Sequence, residues 1–169
     1  MGPDQRVKGL RLPEAGIGEA GENREVNLMK LRLLRLFLFA SAFAWGASVV
    51  GVLLPWPMAV LAMQGLGAGE LPADPMLNYW LRMAAGAFTG VGLFFLVLGC
   101  RPHQYANVIG LAGGLMFIEG LVLLGYGLHL GLRPFPFYAD TAFCLLVGAG
   151  IWMLRHEASN SGMSAQHRE

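Results

Sequence analysis

Three charged side chains, Arg82, Glu119 and Asp140, stand inside otherwise apolar stretches of this chain. Glu119 lies near the middle of residues 105–129, a run long enough to cross a bilayer, since about 20 apolar residues span about 30 Å of hydrocarbon. A carboxylate at that depth is costly, and such residues normally face other protein or a water-filled cavity and have a partner. The chemistry open to these residues is therefore ion pairing within the protein or the binding of a polar ligand.

The depths of the three charges predict that the arginine can reach the acids. With about 1.5 Å of rise per residue, Arg82 and Asp140 lie about one turn below the outer membrane surface, and Glu119 lies about 12 to 14 Å below it. An extended arginine side chain can bridge that difference. We therefore predict that Arg82 pairs with Asp140, with Glu119 or with both inside the protein.

Two main interpretations of this polar cluster are open. In the first, the cluster locks the helices together, since polar contacts between membrane helices contribute about 0.6 to 2 kcal/mol each and ion pairs can set helix register without doing chemistry. In the second, the cluster forms an outward-opening ligand pocket. The remaining alternatives are separate partners for the three residues, or an Arg82 that extends toward the lipid headgroups. The pocket interpretation adds four aromatic lining residues: Tyr79, Trp80, Tyr126 and Tyr138.

The composition and the apolar runs predict an all-α fold, a four-helix transmembrane bundle. Apolar residues make up 55% of the 169 residues and charged residues only 14%, which is too apolar for an ordinary soluble domain of this size. The predicted spans are residues 31–54, 80–100, 105–129 and 137–154. The first half of the connection between spans one and two is short and apolar, which predicts a short helix in the membrane interface.

Small residues recur at helical spacing within the spans. Gly86 and Gly90 form a GxxxG pair in the second span, and Gly113, Gly120 and Gly127 recur every seven residues in the third. Such spacing lets a second helix approach closely. We therefore predict glycine-lined packing faces on both spans.

The charges also predict the domain organisation and orientation. Residues 1–30 form a polar, flexible tail, residues 31–154 the membrane domain and residues 155–169 a second flexible tail. Translation from Met29 and cleavage of the first span as a signal are alternatives to this scheme.

Ten of the twelve Lys and Arg residues lie on the side of the termini, and Arg133 alone lies in an opposite loop. The positive-inside rule then predicts cytoplasmic termini in a bacterial inner membrane.

Several kinds of site find no support in the sequence. Cys100 and Cys144 fall at different predicted depths, which argues against a disulfide, and no cysteine or histidine spacing indicates zinc. His103 and His129 lie at opposite ends of the third span, so they cannot ligate one metal or haem. A net charge near zero without a basic patch argues against a nucleic-acid partner. We therefore predict no metal and no cofactor.

Two short strings in this framework carry a family resemblance. LRMAAG opens the second span, and the glycine-rich third span leads to FPFYAD in the fourth. Over about residues 77–154 the chain resembles bacterial four-helix membrane proteins of the DoxX-like and BphX-like kind. The resemblance implies an inner-membrane protein with an association with quinone-linked oxidation or degradation operons, and it transfers no catalytic residue.

Three functions follow as expectations. Since no reactive constellation is visible, we expect first a non-catalytic accessory or assembly protein, with a membrane-protein partner or a second copy of the chain packed on its glycine faces. The alternative is a small-molecule or lipid binder or transporter that uses Arg82, Glu119 and Asp140. A second alternative is a quinone-linked membrane subunit, with Tyr126 and Glu119 as polar donors.

Overall fold

The computed structural model describes residues 16–166, with side chains described over residues 25–156, and this part of the chain is helical with short connections. Four stretches in it are long and apolar enough to cross a membrane: Glu25–Leu53, Pro75–Cys100, Ala106–His129 and Pro134–His156. The predicted fold class is confirmed. The helices in chain order are α1 Gly16–Gly46, α2 Val49–Leu53, α3 Trp56–Gly65, α4 Pro75–Cys100, α5 Ala106–His129 and α6 Pro134–Gln166.

The helix boundaries differ from the predicted spans in identifiable ways. α4 begins at Pro75, five residues before the predicted start, because Asp74 caps it: its Oδ1 accepts a hydrogen bond of 2.8 Å from the backbone N–H of Met76. α1 extends back to Gly16 and α6 on to Gln166, beyond the predicted limits at 31 and 154. Residues 1–15 and 167–169 of the two predicted tails lie outside the described residues.

The first membrane-crossing stretch is interrupted before it reaches the connection. α1 ends at Gly46, α2 covers only five residues, and Pro55 then separates α2 from α3. Proline has no N–H to donate and its ring blocks the preceding helix, so α2 cannot continue through it. The short helix predicted in this connection is present as α3.

The four long helices do not close into a complete ring. α5 packs along α6, α6 packs on α1, and α1 packs on α4, while α2 also lies against α4. α4 and α5 are consecutive in the chain and joined by the turn at residues 101–105, yet they do not pack along their lengths. A cleft with α1 at its floor therefore separates these two helices.

Glycines allow the closest helix approaches. A Cβ on Gly120 would lie 2.8 Å from the Leu145 side chain, and one on Gly127 would lie 2.0 Å from the Phe137 ring. The predicted seven-residue glycine groove on α5 is therefore the surface that holds α6. On α4, Gly86 and Gly90 do not form the predicted packing face within this chain, because a Cβ on either residue would meet nothing within 4 Å. Gly92 packs on α1 instead.

The main buried core extends from one end of the bundle to its middle. We call the end at residues 101–105 the turn end and the end that carries α3 the loop end. A cluster of buried side chains from all four long helices extends from the turn end to the middle of the bundle, where it borders the cavities described below. Its members are Leu34, Leu38, Phe95, Leu98, Ile109, Ala112, Met116, Cys144 and Ile151.

The contrast between two glycines of α4 gives a test of this packing. A Cβ on Gly92 would lie 2.3 Å from the backbone nitrogen of Gly46, so Gly92→Ala must push α1 and α4 apart. We expect it to lower the free energy of unfolding by about 1 to 3 kcal/mol. Gly90→Ala, on the same helix, should be neutral or stabilising by up to about 1 kcal/mol. The measurement is unfolding in mixed micelles followed by circular dichroism, and equal losses in the two variants would contradict the packing described.

Candidate ligand pockets around Glu119

Glu119 opens onto the cleft between α4 and α5. Its neighbour Gly120 faces α6, and a step of one residue turns the side chain by about 100° around the helix. The carboxylate is exposed and has no hydrogen bond or ion pair with any described residue. It borders a cavity of about 330 Å³, the lateral pocket. The lining comes from α1, α4 and α5: Trp45, Phe88, Val91, Phe94, Phe95, Ala112, Leu115, Met116 and Glu119.

A second cavity of about 290 Å³, the central pocket, adjoins the first and brings the two acids together. Trp45, Phe88 and Glu119 line both pockets, so these three side chains stand at their junction. Asp140 enters the central pocket from α6. The remaining lining residues are Ala44, Ser48, Leu123, Phe143 and Cys144.

A third cavity of about 390 Å³, the mouth pocket, lies at the loop end. It is enclosed by the end of α3, the end of α5 and the start of α6, and it shares Leu123 and Asp140 with the central pocket. Arg133 and Tyr126 also line it. The three pockets thus adjoin one another from the loop end to the cleft between α4 and α5, with Asp140 at one junction and Glu119 at the other.

An aromatic pair separates the lateral pocket from the central one. The rings of Trp45 and Phe88 lie 5.1 Å apart between centroids, at an angle of 50°. The Nε1–H of Trp45 is buried and has no acceptor among the described residues. A buried donor without a partner costs about 1 to 3 kcal/mol, so this group is available to a molecule that brings an acceptor.

Arg82 does not reach the acids, and the predicted ion pair is not formed. Its guanidinium donates to the backbone carbonyls of Val52 and Leu54, the latter at 3.0 Å, and to Oδ1 of Asn78 at 2.9 Å. These carbonyls belong to the helix end that Pro55 interrupts, where backbone acceptors have no partner within the helix. Arg82 therefore ties α2 to α4 and lines none of the three pockets.

The structure places the four predicted aromatic residues in different surroundings. Tyr126 lines the mouth pocket. Tyr79 and Trp80 are exposed at the start of α4, where their rings meet edge to face at 6.2 Å, and they line none of the three pockets. Tyr138 is exposed and packs on Phe137.

Several lining residues were missed from the sequence. Trp45 could have been noticed from its position, since tryptophan is usually enriched at the two membrane interfaces and this one lies well inside a span. Phe88 and Cys144 carried none, because they are ordinary apolar residues of their helices. The position of Arg133 in the sequence indicates only the orientation of the chain, although this residue lines the mouth pocket with Asp140.

No protein-family model, curated protein or solved structure matches this chain significantly. In the part of the chain that the structure describes, no group of three or more His, Cys, Asp or Glu residues could hold a metal ion. Fold and site together define a small, multi-pass helical membrane protein with adjoining apolar pockets that carry two carboxylates.

Substitutions of Arg82 test its observed role. Arg82→Ala removes three hydrogen bonds from a cationic donor and leaves two carbonyls without partners, so we expect the free energy of unfolding to fall by about 1 to 3 kcal/mol. Arg82→Lys should be intermediate, because an ammonium cannot reproduce the planar fork of donors. Unfolding in mixed micelles measures both.

A double-mutant cycle distinguishes this role from the predicted ion pair. Since Arg82 and Glu119 do not interact, the effects of Arg82→Ala and Glu119→Gln should add within about 0.5 kcal/mol. A larger coupling would show that the two side chains interact after all.

Proposed function

We propose that this protein binds a small amphipathic molecule in its adjoining lateral, central and mouth pockets. The observation that carries the proposal is that the carboxylate of Glu119, in the middle of an apolar helix, opens onto two cavities and has no partner among the described residues. A carboxylate at such a position normally has one. A bound molecule would supply it.

The dimensions and the lining of the pockets support this proposal. Ligand pockets in proteins measure about 300 to 1,000 Å³ and combine apolar walls with a few polar groups, as the lateral and central pockets do. The gap between α4 and α5 gives a route of entry from the hydrocarbon, and the mouth pocket gives one from the loop end. The protein would therefore take its ligand from the membrane or pass it between the membrane and the loop side.

The uneven distribution of Lys and Arg between the two ends of the bundle supports one orientation of the protein in the membrane. With the turn end and both termini in the cytoplasm of a bacterial cell, the mouth pocket faces outward. A fluorescent protein that matures only in the cytoplasm, fused after Glu169, should then be fluorescent. A dark fusion, together with an active periplasmic reporter at the same place, would reverse the assignment.

An accessory or assembly role is the second proposal, and the open face of α4 supports it. Gly86 and Gly90 have no neighbour within 4 Å of a Cβ, so another helix could approach there. Purification in mild detergent would then yield a stoichiometric protein partner. Such a partner seated on α4 leaves the pockets accessible, so the two roles are compatible.

The quinone alternative draws its support from the resemblance to DoxX-like proteins and from the acid beside an apolar slot. Glu119 lines the lateral and central pockets, whereas Tyr126 lines the mouth pocket. The two predicted donors would therefore not hold one quinone head group in the same cavity. Extraction of the purified protein with organic solvent identifies a bound quinone directly.

A pair of pocket variants tests the proposed binding. Ala44 lines the central pocket, and Ala44→Phe should fill part of it. Ala87, exposed on α4 and lining none of the three pockets, provides the matched control Ala87→Phe. We expect native mass spectrometry of the protein released from its own membranes to show a bound small molecule in the wild type and in Ala87→Phe, and about tenfold less in Ala44→Phe. No bound species in any gentle detergent, or equal retention by both variants, would contradict the proposal.

A further inference from the structure

We infer, building on the proposed function, that the ligand is a lipophilic organic monocation whose charged centre binds at Glu119. The proposed function requires only an amphipathic molecule. The charges and rings around the pockets narrow the chemistry to one class, and each of the following observations contributes independently.

The first observation is the distribution of charge among the three pockets. Two carboxylates, Glu119 and Asp140, and one guanidinium, Arg133, line them. Arg133 shares the mouth pocket with Asp140 and lines neither of the pockets that contain Glu119. Asp140 thus has a cation in a pocket that it lines, whereas no described Lys, Arg or His lines the pockets of Glu119. One added positive charge beside Glu119 would give the three pockets two positive and two negative charges.

The second observation is that Arg82, the arginine that the sequence predicts as the partner of Glu119, is already engaged. Arg82 lies about 10 Å along α4 from the start of that helix, at a depth from which it could have reached toward the acids. Instead it donates to the carbonyls of Val52 and Leu54 and to Asn78. Moving it to Glu119 would leave those carbonyls without partners at a helix end. Among the described residues, Arg82 is thus held elsewhere and no other cation lines the pockets of Glu119, so we assign the positive charge to a bound molecule.

The third observation is the aromatic lining at the same place. Trp45 and Phe88 border both of the pockets that contain Glu119. The face of an aromatic ring attracts a cation within about 6 Å of its centre, most strongly for tryptophan. Rings of this kind beside a carboxylate suit an ammonium or phosphonium group, whereas an anion would be repelled by both acids.

The lateral pocket then provides room for the apolar part of such a molecule. Apart from Glu119, its lining consists of apolar and aromatic side chains, among them Val91, Phe94 and Leu115. This lining would contact hydrocarbon or aryl groups attached to the charged centre. A small hydrated metal ion would gain nothing from such walls.

The test compares two probes of equal shape and different charge. Methyltriphenylphosphonium is a lipophilic cation, and methyltriphenylsilane is its uncharged isostere. The full-length protein is reconstituted in lipid nanodiscs, and binding is measured by equilibrium dialysis with empty nanodiscs subtracted. We expect the cation to bind at least about tenfold more tightly than the silane, a difference of about 1.4 kcal/mol.

Variants assign that preference to Glu119. Glu119→Gln should reduce the affinity for the cation at least about tenfold and leave the silane unchanged. Asp140→Asn should have a smaller effect, since Arg133 lines a pocket beside that acid. Glu70→Gln, an exposed acid of the connection before α4, is the matched control and should bind both probes like the wild type. If Glu119→Gln does not fold, Glu119→Asp keeps the charge and should keep the preference for the cation.

The outcomes separate this inference from the proposed function. Equal binding of the two probes, or a cation affinity that Glu119→Gln does not change, overturns the cation inference while a bound amphipathic molecule still supports the proposed function. Binding of neither probe, with a small molecule nevertheless retained from native membranes, also overturns the inference alone. Binding of neither probe and no retained molecule overturns both.

Discussion

The close approach of α5 and α6 is the constraint on which the site depends. Gly113, Gly120 and Gly127 repeat every seven residues and have no side chains to separate the two backbones, so α6 settles into the groove they form. This contact fixes the rotation of α5 about its axis. Glu119, one residue before Gly120, must then turn away from α6 and toward the gap in front of α4. The same contact places Asp140, one turn beyond Phe137, at the edge of the central pocket. Helix packing, not ion pairing, brings the two acids together.

In this fold Arg82 binds free backbone carbonyls and not the carboxylates. An arginine in an apolar environment can satisfy its donors with carboxylates or with free backbone carbonyls. Pro55 ends α2 and so leaves carbonyls without donors close to Arg82. Three hydrogen bonds are made there without drawing α4 toward α5. The hydrogen bonds of Arg82 therefore hold α2 against α4 and do not bridge the cleft between α4 and α5.

The elements of the fold could be predicted well from the sequence, since each depends on local pattern. The four apolar runs, the short helix after Pro55 and the glycine repeat on α5 are all properties of spacing along the chain. Arg82, Glu119 and Asp140 could also be placed at a depth, because rise per residue is constant. What depth does not give is the direction in which a side chain points around the bundle. That direction depends on which glycines pack, and on α4 it is Gly92 that meets α1 while Gly86 and Gly90 face outward. The predicted ion pair is not formed because Arg82 lies on the side of α4 that meets α2, where free carbonyls accept its hydrogen bonds.

The cavities that border the buried core argue for a small occupant of the pockets. The buried cluster can hold the four long helices together, so the region around the pockets does not need dense packing. The Nε1 of Trp45 and the Oγ1 of Thr141 are buried polar atoms without partners among the described residues. A partner helix with a continuous apolar surface, laid into the cleft, would give no hydrogen-bond partner to the carboxylate of Glu119 or to these atoms. The rings of Trp45 and Phe88 also divide the space into compartments of a few hundred Å³, which matches a compact molecule better than a helix.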